Sequence, residues 1–93
     1  MINTVNPTHT FTYAGVRVNV YHADKGEGIP RHEHAYSHAT FCASGLIAVR
    51  KEGIERSMDK TSKPVNLVPN EWHEIEALED GTVFINVFQE GKY

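Results

Sequence analysis

Three histidines, His32, His34 and His38, lie within one segment of seven residues. If this segment is extended, the three positions have the same parity and their side chains point to the same face. Protonated imidazoles would repel one another there, and neutral buried imidazoles would need partners for both ring nitrogens. A divalent metal removes both difficulties, because it accepts a lone pair from each neutral imidazole. The spacing therefore predicts a metal site.

A fourth histidine, His73, lies in a later segment of strand type. By alternation it shares one face with Ile75 and Ala77, which predicts that this face points inward. A histidine on an otherwise apolar face is a candidate fourth ligand. His9 and His22 show no such pattern, and we expect His9 on the surface and His22 in a turn.

Two other interpretations of the histidine-rich segment stay open. The histidines could belong to a solvated loop and bind nothing. The segment could also contribute to a structural zinc site, although such sites usually use cysteine. The chain contains a single cysteine, Cys42.

The elements that must position these histidines are strands. Leucine occurs three times, whereas valine and isoleucine together occur fifteen times. Leucine favours helices and β-branched residues favour strands, so the composition excludes a helical bundle. Turn residues separate eight short segments of strand type, which predicts one all-β sandwich or barrel domain over residues 1–93. These segments are 10–13, 16–21, 39–44, 46–51, 54–58, 65–68, 72–78 and 82–89.

Charge and hydropathy exclude several classes of protein. The chain has 9 basic and 12 acidic side chains, a formal net charge of −3 that argues against nucleic acid as the main partner. It has no run of about 18 apolar residues that could span a membrane. The first residues lack the basic and apolar regions of a signal peptide. Cys42 cannot form an internal disulfide, so we expect a cytoplasmic protein.

The segment from Gly26 to Gly45 resembles the first motif of the cupin superfamily. In that motif a glycine is followed, after five intervening residues, by H-x-H. After three or four more residues comes a position that is usually glutamate, and a second glycine follows after six more residues. Here His32 and His34 match the H-x-H pair. His38 stands where the family most often has glutamate.

The segment from Pro69 to His73 resembles the second cupin motif, P-x-G-x-x-H, and is one residue shorter. Asn70 stands near the position of the motif glycine. Asparagine is the non-glycine residue that best tolerates a left-handed backbone. The chain is therefore most similar to the small cupins in which four histidines replace the usual three histidines and a glutamate.

This resemblance implies a small antiparallel jelly-roll β-barrel. It implies one divalent transition metal per chain, held by His32, His34, His38 and His73. Imidazole ligands are compatible with Fe, Mn, Ni, Cu and Zn, so the metal stays open. The resemblance also implies a homodimer formed through sheet edges and outer faces, because a small open barrel leaves edges that need cover.

Four neutral imidazoles would leave the metal its full +2 charge and favour anionic chelating ligands. An octahedral metal would keep two open positions for a small molecule. We therefore expect a metal-dependent enzyme, of the dioxygenase, isomerase or lyase type, that acts on a small oxygenated and anionic molecule. Two alternatives are a non-catalytic, metal-dependent module that binds a metabolite or sugar, and a metal-free barrel.

Tyr36 and Cys42 are the candidate catalytic residues, because they are the nearby side chains able to transfer a proton. Parity from His38 predicts that Thr40, Cys42 and Ser44 point inward. The plainer interpretation makes Cys42 a small core residue and Tyr36 a packing aromatic.

Overall fold

The computed structural model describes residues 2–89 and forms ten strands in this part of the chain. Its all-β character agrees with the excess of β-branched residues. The strands are β1 (Asn3–Thr4), β2 (His9–Tyr13), β3 (Val16–Ala23), β4 (Glu27–His32), β5 (His38–Ser44), β6 (Ile47–Lys51), β7 (Ile54–Met58), β8 (Val65–Leu67), β9 (His73–Ala77) and β10 (Thr82–Gln89).

The strands form two five-stranded sheets. The first sheet has the order β1-β4-β9-β6-β7, and the second has the order β2-β3-β10-β5-β8. All pairs are antiparallel except β1 with β4. β2–β3 and β6–β7 are hairpins, whereas the other neighbouring strands are distant in sequence, so residues far apart along the chain become neighbours.

One hydrophobic cluster joins the inner faces of the two sheets. The first sheet contributes Ile47, Val49 and Ile75, and the second contributes Leu67 and Phe84. On β10 the burial alternates strictly, with every second residue from position 82 buried. Alternation therefore decides which side chains of each strand enter the space between the sheets.

The structure confirms the eight predicted strands and adds two that the sequence did not reveal, β1 and β4. Glycines and Pro30 gave β4 the appearance of a turn. Gly28 instead lies within β4, where an added Cβ would collide with the backbone carbonyl of Ile75 on β9. Glycine is used at this position because two backbones approach closely.

The prediction of one extended segment from His32 to His38 is wrong. His32 ends β4 in the first sheet, and His38 begins β5 in the second sheet. His34 lies in the connection between them. The three side chains therefore meet from opposite sheets rather than from one face of one strand.

Within residues 2–89 there is no helix of the length and apolar character needed to cross a membrane.

Candidate metal centre

The structure brings four histidine rings together between the sheets. One ring nitrogen from each of His32, His34 and His73 lies within 4.8 Å of the others. The Nε2 atoms of His38 and His73 are 3.3 Å apart. His38 is 3% exposed and His73 is fully buried, whereas His32 and His34 are half-buried. The rings of His32 and His34 thus form the more exposed part of the cluster.

Strand register and one tight turn produce this convergence. His32 lies opposite His73 in the pairing of β4 with β9. The backbone amide of Asn70 donates to the carbonyl of His34 at 2.8 Å and so ties the turn before β9 to the β4–β5 connection. Asn70 has a φ of 61°, which confirms the left-handed conformation expected at the motif position.

Backbone carbonyls orient three of the four rings. In His32, His34 and His73, Nδ1 lies within hydrogen-bond distance of a carbonyl oxygen two residues away. A carbonyl can only accept, so each Nδ1 carries the proton and each Nε2 keeps a lone pair. The acceptors are Pro30 for His32 (2.8 Å), Tyr36 for His34 (2.7 Å) and Glu71 for His73 (3.0 Å).

A side chain orients the fourth ring. The hydroxyl of Thr40 lies 3.2 Å from Nδ1 of His38. The same hydroxyl donates its proton to Oδ1 of Asn86 at 2.6 Å. It therefore accepts from Nδ1 of His38, and the Nε2 of that ring also keeps its lone pair.

These lone pairs face one another without a proton between them. Nε2 of His32 is buried and has no hydrogen-bond partner among the described residues. The 3.3 Å between Nε2 of His38 and Nε2 of His73 fits two ligands of one ion, since nitrogens about 2.1 Å from a tetrahedral metal lie about 3.4 Å apart. The donor set therefore fits a divalent transition metal.

Burial disfavours the charged form of three of the four rings. It lowers the pKa of His38 to about 3, and electrostatic repulsion from the imidazoles of His73 and His34 lowers it further. It also lowers the pKa of His73 to about 4, and that of His34 in the same direction. Neutral imidazole is the form that binds a metal, so the lowered pKa values of these three rings favour metal binding.

Tyr36 lies beside the cluster. Its ring stacks on His34, with ring centroids 4.2 Å apart, and the ring of Phe88 is 6.2 Å away. Burial raises the pKa of the Tyr36 hydroxyl. At neutral pH the phenol therefore keeps its proton and is a hydrogen-bond donor beside the histidine cluster.

Cys42 is 3% exposed and points inward on β5, as parity predicted. Its thiol donates to the carbonyls of Ser44 at 3.3 Å and Gly45 at 3.6 Å. Burial raises the pKa of this thiol, which disfavours the thiolate. Ser44 is exposed, so the inward alternation predicted for it ends before the end of β5.

Sequence reasoning missed an ion pair that borders the cluster. Lys51 lies opposite His73 in the pairing of β6 with β9, and its Nζ is 3.5 Å from the carboxylate of Glu71. Glu71 also supplies the carbonyl that orients His73. The sequence carries no signal for this contact, because it depends on the register of two strands more than 20 residues apart.

The remaining histidines lie away from the cluster. His9 and His22 are exposed, and both ring Nδ1 atoms are within hydrogen-bond distance of the Thr8 hydroxyl. The surface position of His9 is confirmed. His22 belongs to strand β3 rather than to the predicted turn.

A solvent-facing cleft reaches His32. It has a volume of about 520 Å³ and is lined also by Arg31, Glu33, Glu52 and Trp72. The guanidinium of Arg31 lies over the indole ring of Trp72, 4.2 Å from its centroid. The stacking gives Arg31 a defined place beside the opening.

Comparison with known proteins gives structural matches alone. No protein-family model matches the sequence, and no curated protein matches it. KdgF from Halomonas sp. superposes with a TM-score of 0.78 at 18% identity, over 87% of this chain and 74% of that one. A cupin from Bacteroides fragilis superposes with a TM-score of 0.69 at 20% identity, over 87% and 71%.

A third match is to the DMSP lyases RdDddP and RnDddQII, with a TM-score of 0.71 at 16% identity. It covers 86% of this chain and 41% of that one. At these identities the matches establish the fold. Two five-stranded sheets with histidines converging between them, superposed on cupin structures over most of the chain, show that this chain has the fold of the cupin superfamily.

Proposed function

We propose that His32, His34, His38 and His73 hold one divalent transition metal and that this metal binds a small oxygenated, anionic molecule. The observation that carries the proposal is the set of ring nitrogens. Hydrogen bonds place every Nδ1 proton on the outside of the cluster, and two Nε2 atoms stand 3.3 Å apart with only lone pairs between them. A cation removes the repulsion that this arrangement creates.

The protein would supply the metal with four neutral imidazoles whose orientation is fixed before the metal binds. Because the four ligands carry no charge, a bound divalent metal would keep its +2 charge and act as a Lewis acid toward carboxylate, keto or enediolate oxygens. Tyr36 would lie beside the bound molecule as a hydrogen-bond donor, since its ring stacks on His34. The half-buried rings of His32 and His34 mark the side from which the molecule enters.

We propose that the reaction belongs to the dioxygenase, isomerase or lyase type. The structural match to DMSP lyases supports chemistry of the lyase type on this fold. Among the candidate catalytic residues, Tyr36 has the better position for proton donation. A catalytic role for Cys42 stays a prediction, and the engagement of its thiol with two backbone carbonyls makes it the weaker candidate.

The test is elemental analysis of protein purified without a histidine tag. We expect about one transition metal per chain in the wild type. His34→Ala and His73→Ala should each lose most of it, because each removes a ligand from a different segment of the chain. His22→Ala is the matched control, since this exposed histidine lies outside the cluster, and it should retain the metal.

The absence of metal in the wild type, even after reconstitution with Fe, Mn, Ni, Cu and Zn salts, would refute the proposed site. Equal metal content in all four proteins would place the metal elsewhere. Iron, manganese or copper would direct the search for activity to oxygen consumption, and zinc or nickel to isomerase and lyase substrates.

A second candidate function is a non-catalytic module that binds a metal-chelated metabolite or sugar. The buried, hydrogen-bonded thiol of Cys42 favours it, because this leaves Tyr36 as the one predicted proton donor beside the cluster. The two functions differ in the fate of a bound molecule. An enzyme converts it at a rate that Tyr36→Phe lowers, whereas a binding module returns it unchanged.

We also propose that the chain forms a homodimer through the outer face of the second sheet. On β2, β3, β10 and β5 the outward residues are mostly apolar, apart from His9, His22 and Gln89, and Phe11 and Tyr13 are 53% and 79% exposed. The flat area of the second sheet is roughly 500 Å² per copy, so two copies bury about 1,000 Å², which is near the lower limit for a specific interface.

A further inference from the structure

We propose that Thr40 and Asn86 are positioning residues that hold the ring of His38 in the tautomer that can bind a metal. The inference rests on the proposed metal site, and it concerns a hydrogen-bonded pair to which no role has been assigned. Both residues are buried, at 0% and 1% exposure, on neighbouring strands of the second sheet.

His38 differs from the other three histidines in the group that orients it. Their Nδ1 atoms face backbone carbonyls, which accept a proton and have none to give. A hydroxyl, in contrast, can either donate or accept. The hydroxyl of Thr40 alone would therefore allow both neutral tautomers of the His38 ring.

Asn86 removes this freedom. Its Oδ1 accepts the Thr40 proton at 2.6 Å, so the hydroxyl oxygen can only accept from Nδ1 of His38. The two residues are directly opposite in the pairing of β10 with β5, which fixes the distance between their side chains. The proton of His38 is thereby held on Nδ1, and its Nε2 stays available.

The amide of Asn86 is oriented by its contact with Thr40. Its Oδ1 atom lies 2.6 Å from the Thr40 hydroxyl and accepts that proton. Its Nδ2 atom is buried and has no hydrogen-bond partner among the described residues.

A competing tautomer shows why the pair is needed. With its proton on Nε2, His38 would donate to Nε2 of His73 across the 3.3 Å gap. That hydrogen bond would stabilise the metal-free cluster and would occupy a lone pair from each of two ligands. The Thr40–Asn86 pair opposes this arrangement and keeps the cluster ready for the metal.

The test measures the tautomer directly, by nitrogen NMR of histidine-labelled, metal-free protein. We expect the Nδ1–H form at His38 in the wild type and in Thr40→Ser, which keeps the hydroxyl. Thr40→Val removes the acceptor, and Asn86→Leu frees the hydroxyl to donate to Nδ1. Both should convert His38 to the Nε2–H form.

The same proteins are compared for metal affinity with Zn²⁺ and Co²⁺. Thr40→Val and Asn86→Leu should bind about 10- to 100-fold more weakly, as is typical when a group behind a ligand is removed. Thr82→Val is the matched control, because this threonine is equally buried on β10 and bonds backbone carbonyls far from the histidines. It should bind as the wild type does.

An Nε2–H proton at His38 in the wild type would overturn the inference without any variant being needed. Unchanged tautomer and affinity in a folded Thr40→Val or Asn86→Leu would overturn it as well. A wild type that binds neither metal but shows Nδ1–H at His38, and Nε2–H in the variants, would refute the proposed function and leave the tautomer assignment standing.

Discussion

At the scale of single residues, the cluster is defined by where its protons are. Burial disfavours the charged imidazolium at His34, His38 and His73. Each ring has its Nδ1 proton committed to an oxygen on the outside of the cluster. The Nε2 atoms point inward, so their lone pairs repel one another, and a bound metal would relieve this repulsion.

The metal-free protein should lose stability in acid between about pH 6.5 and 4. The pKa values of His38 and His73 lie at about 3 and about 4 in the folded chain, below the value of about 6.5 in the unfolded chain. The unfolded chain therefore binds more protons as the pH falls. Each of the two histidines lowers the free energy of unfolding by up to about 1.4 kcal/mol per pH unit in this window.

Urea unfolding of chelated protein at several pH values measures this effect. The window from pH 6.5 to 5 is informative, because most carboxylates are still ionised there. In His73→Asn the free energy of unfolding should fall less steeply as the pH is lowered, by the equivalent of about one bound proton. A free energy of unfolding that is constant from pH 7 to 5 would contradict the pKa values given for the two histidines.

At the scale of elements, the site depends on two connections and a strand pair. The β4–β5 connection places His34 between a histidine from each sheet, and the pairing of β4 with β9 places His32 opposite His73. The turn before β9 is joined to the β4–β5 connection through the amide of Asn70. This backbone hydrogen bond joins the two motifs in addition to the pairing of β4 with β9.

Asn70→Ala should destabilise the protein by about 1 kcal/mol, because alanine tolerates a left-handed backbone less well than asparagine. Asn70→Gly should leave stability near that of the wild type. Since the φ of 61° is what brings the amide to His34, Asn70→Ala should also weaken metal binding. Thermal unfolding and metal titration measure the two effects.

Gly53→Ala serves as the control for the change at position 70. It also introduces a side chain at a positive φ, of 73°, in open space and in the β6–β7 turn. We expect a similar loss of stability from it and no loss of metal affinity. Weaker metal binding in both variants would mean that the effect of Asn70→Ala is one of general stability.

At the scale of the whole molecule, the two sheets have different outer faces. The first sheet has charged residues there, with Arg50 paired to Glu74 at 2.8 Å and to Glu76 at 2.9 Å. The second sheet is mostly apolar on its outer face, and β2, its edge strand among residues 2–89, is exposed along its full length. A mostly apolar face and an exposed edge strand in the same sheet both favour association with a second copy.

Sedimentation should therefore give twice the chain mass of 10.5 kDa for the wild type. Phe11→Glu places a charge on the apolar face and should shift the protein toward the monomer. Ile54→Glu is the control, because Ile54 is 56% exposed on the other sheet and lies outside the proposed interface. A wild-type monomer, or equal dissociation in both variants, would refute the proposed dimer.

Much of the fold was predictable from local patterns. Alternation along 16–21 and 82–89 predicted strands, because side chains of a strand point to opposite faces in turn. The inward position of His73 followed from its apolar neighbours on the same face. β4 was not predictable, since Gly28 and Pro30 are typical of turns and only the close approach of β9 explains glycine there.

The sequence by itself determined which histidines and turn residues form the cluster, because histidine spacing and turn residues are local properties of the chain. Only the tertiary structure decided that the histidines meet from two sheets, that each proton lies on Nδ1, and that Asn86 stands behind His38. These features depend on strand register, and register is set by the packing of both sheets rather than by any single segment.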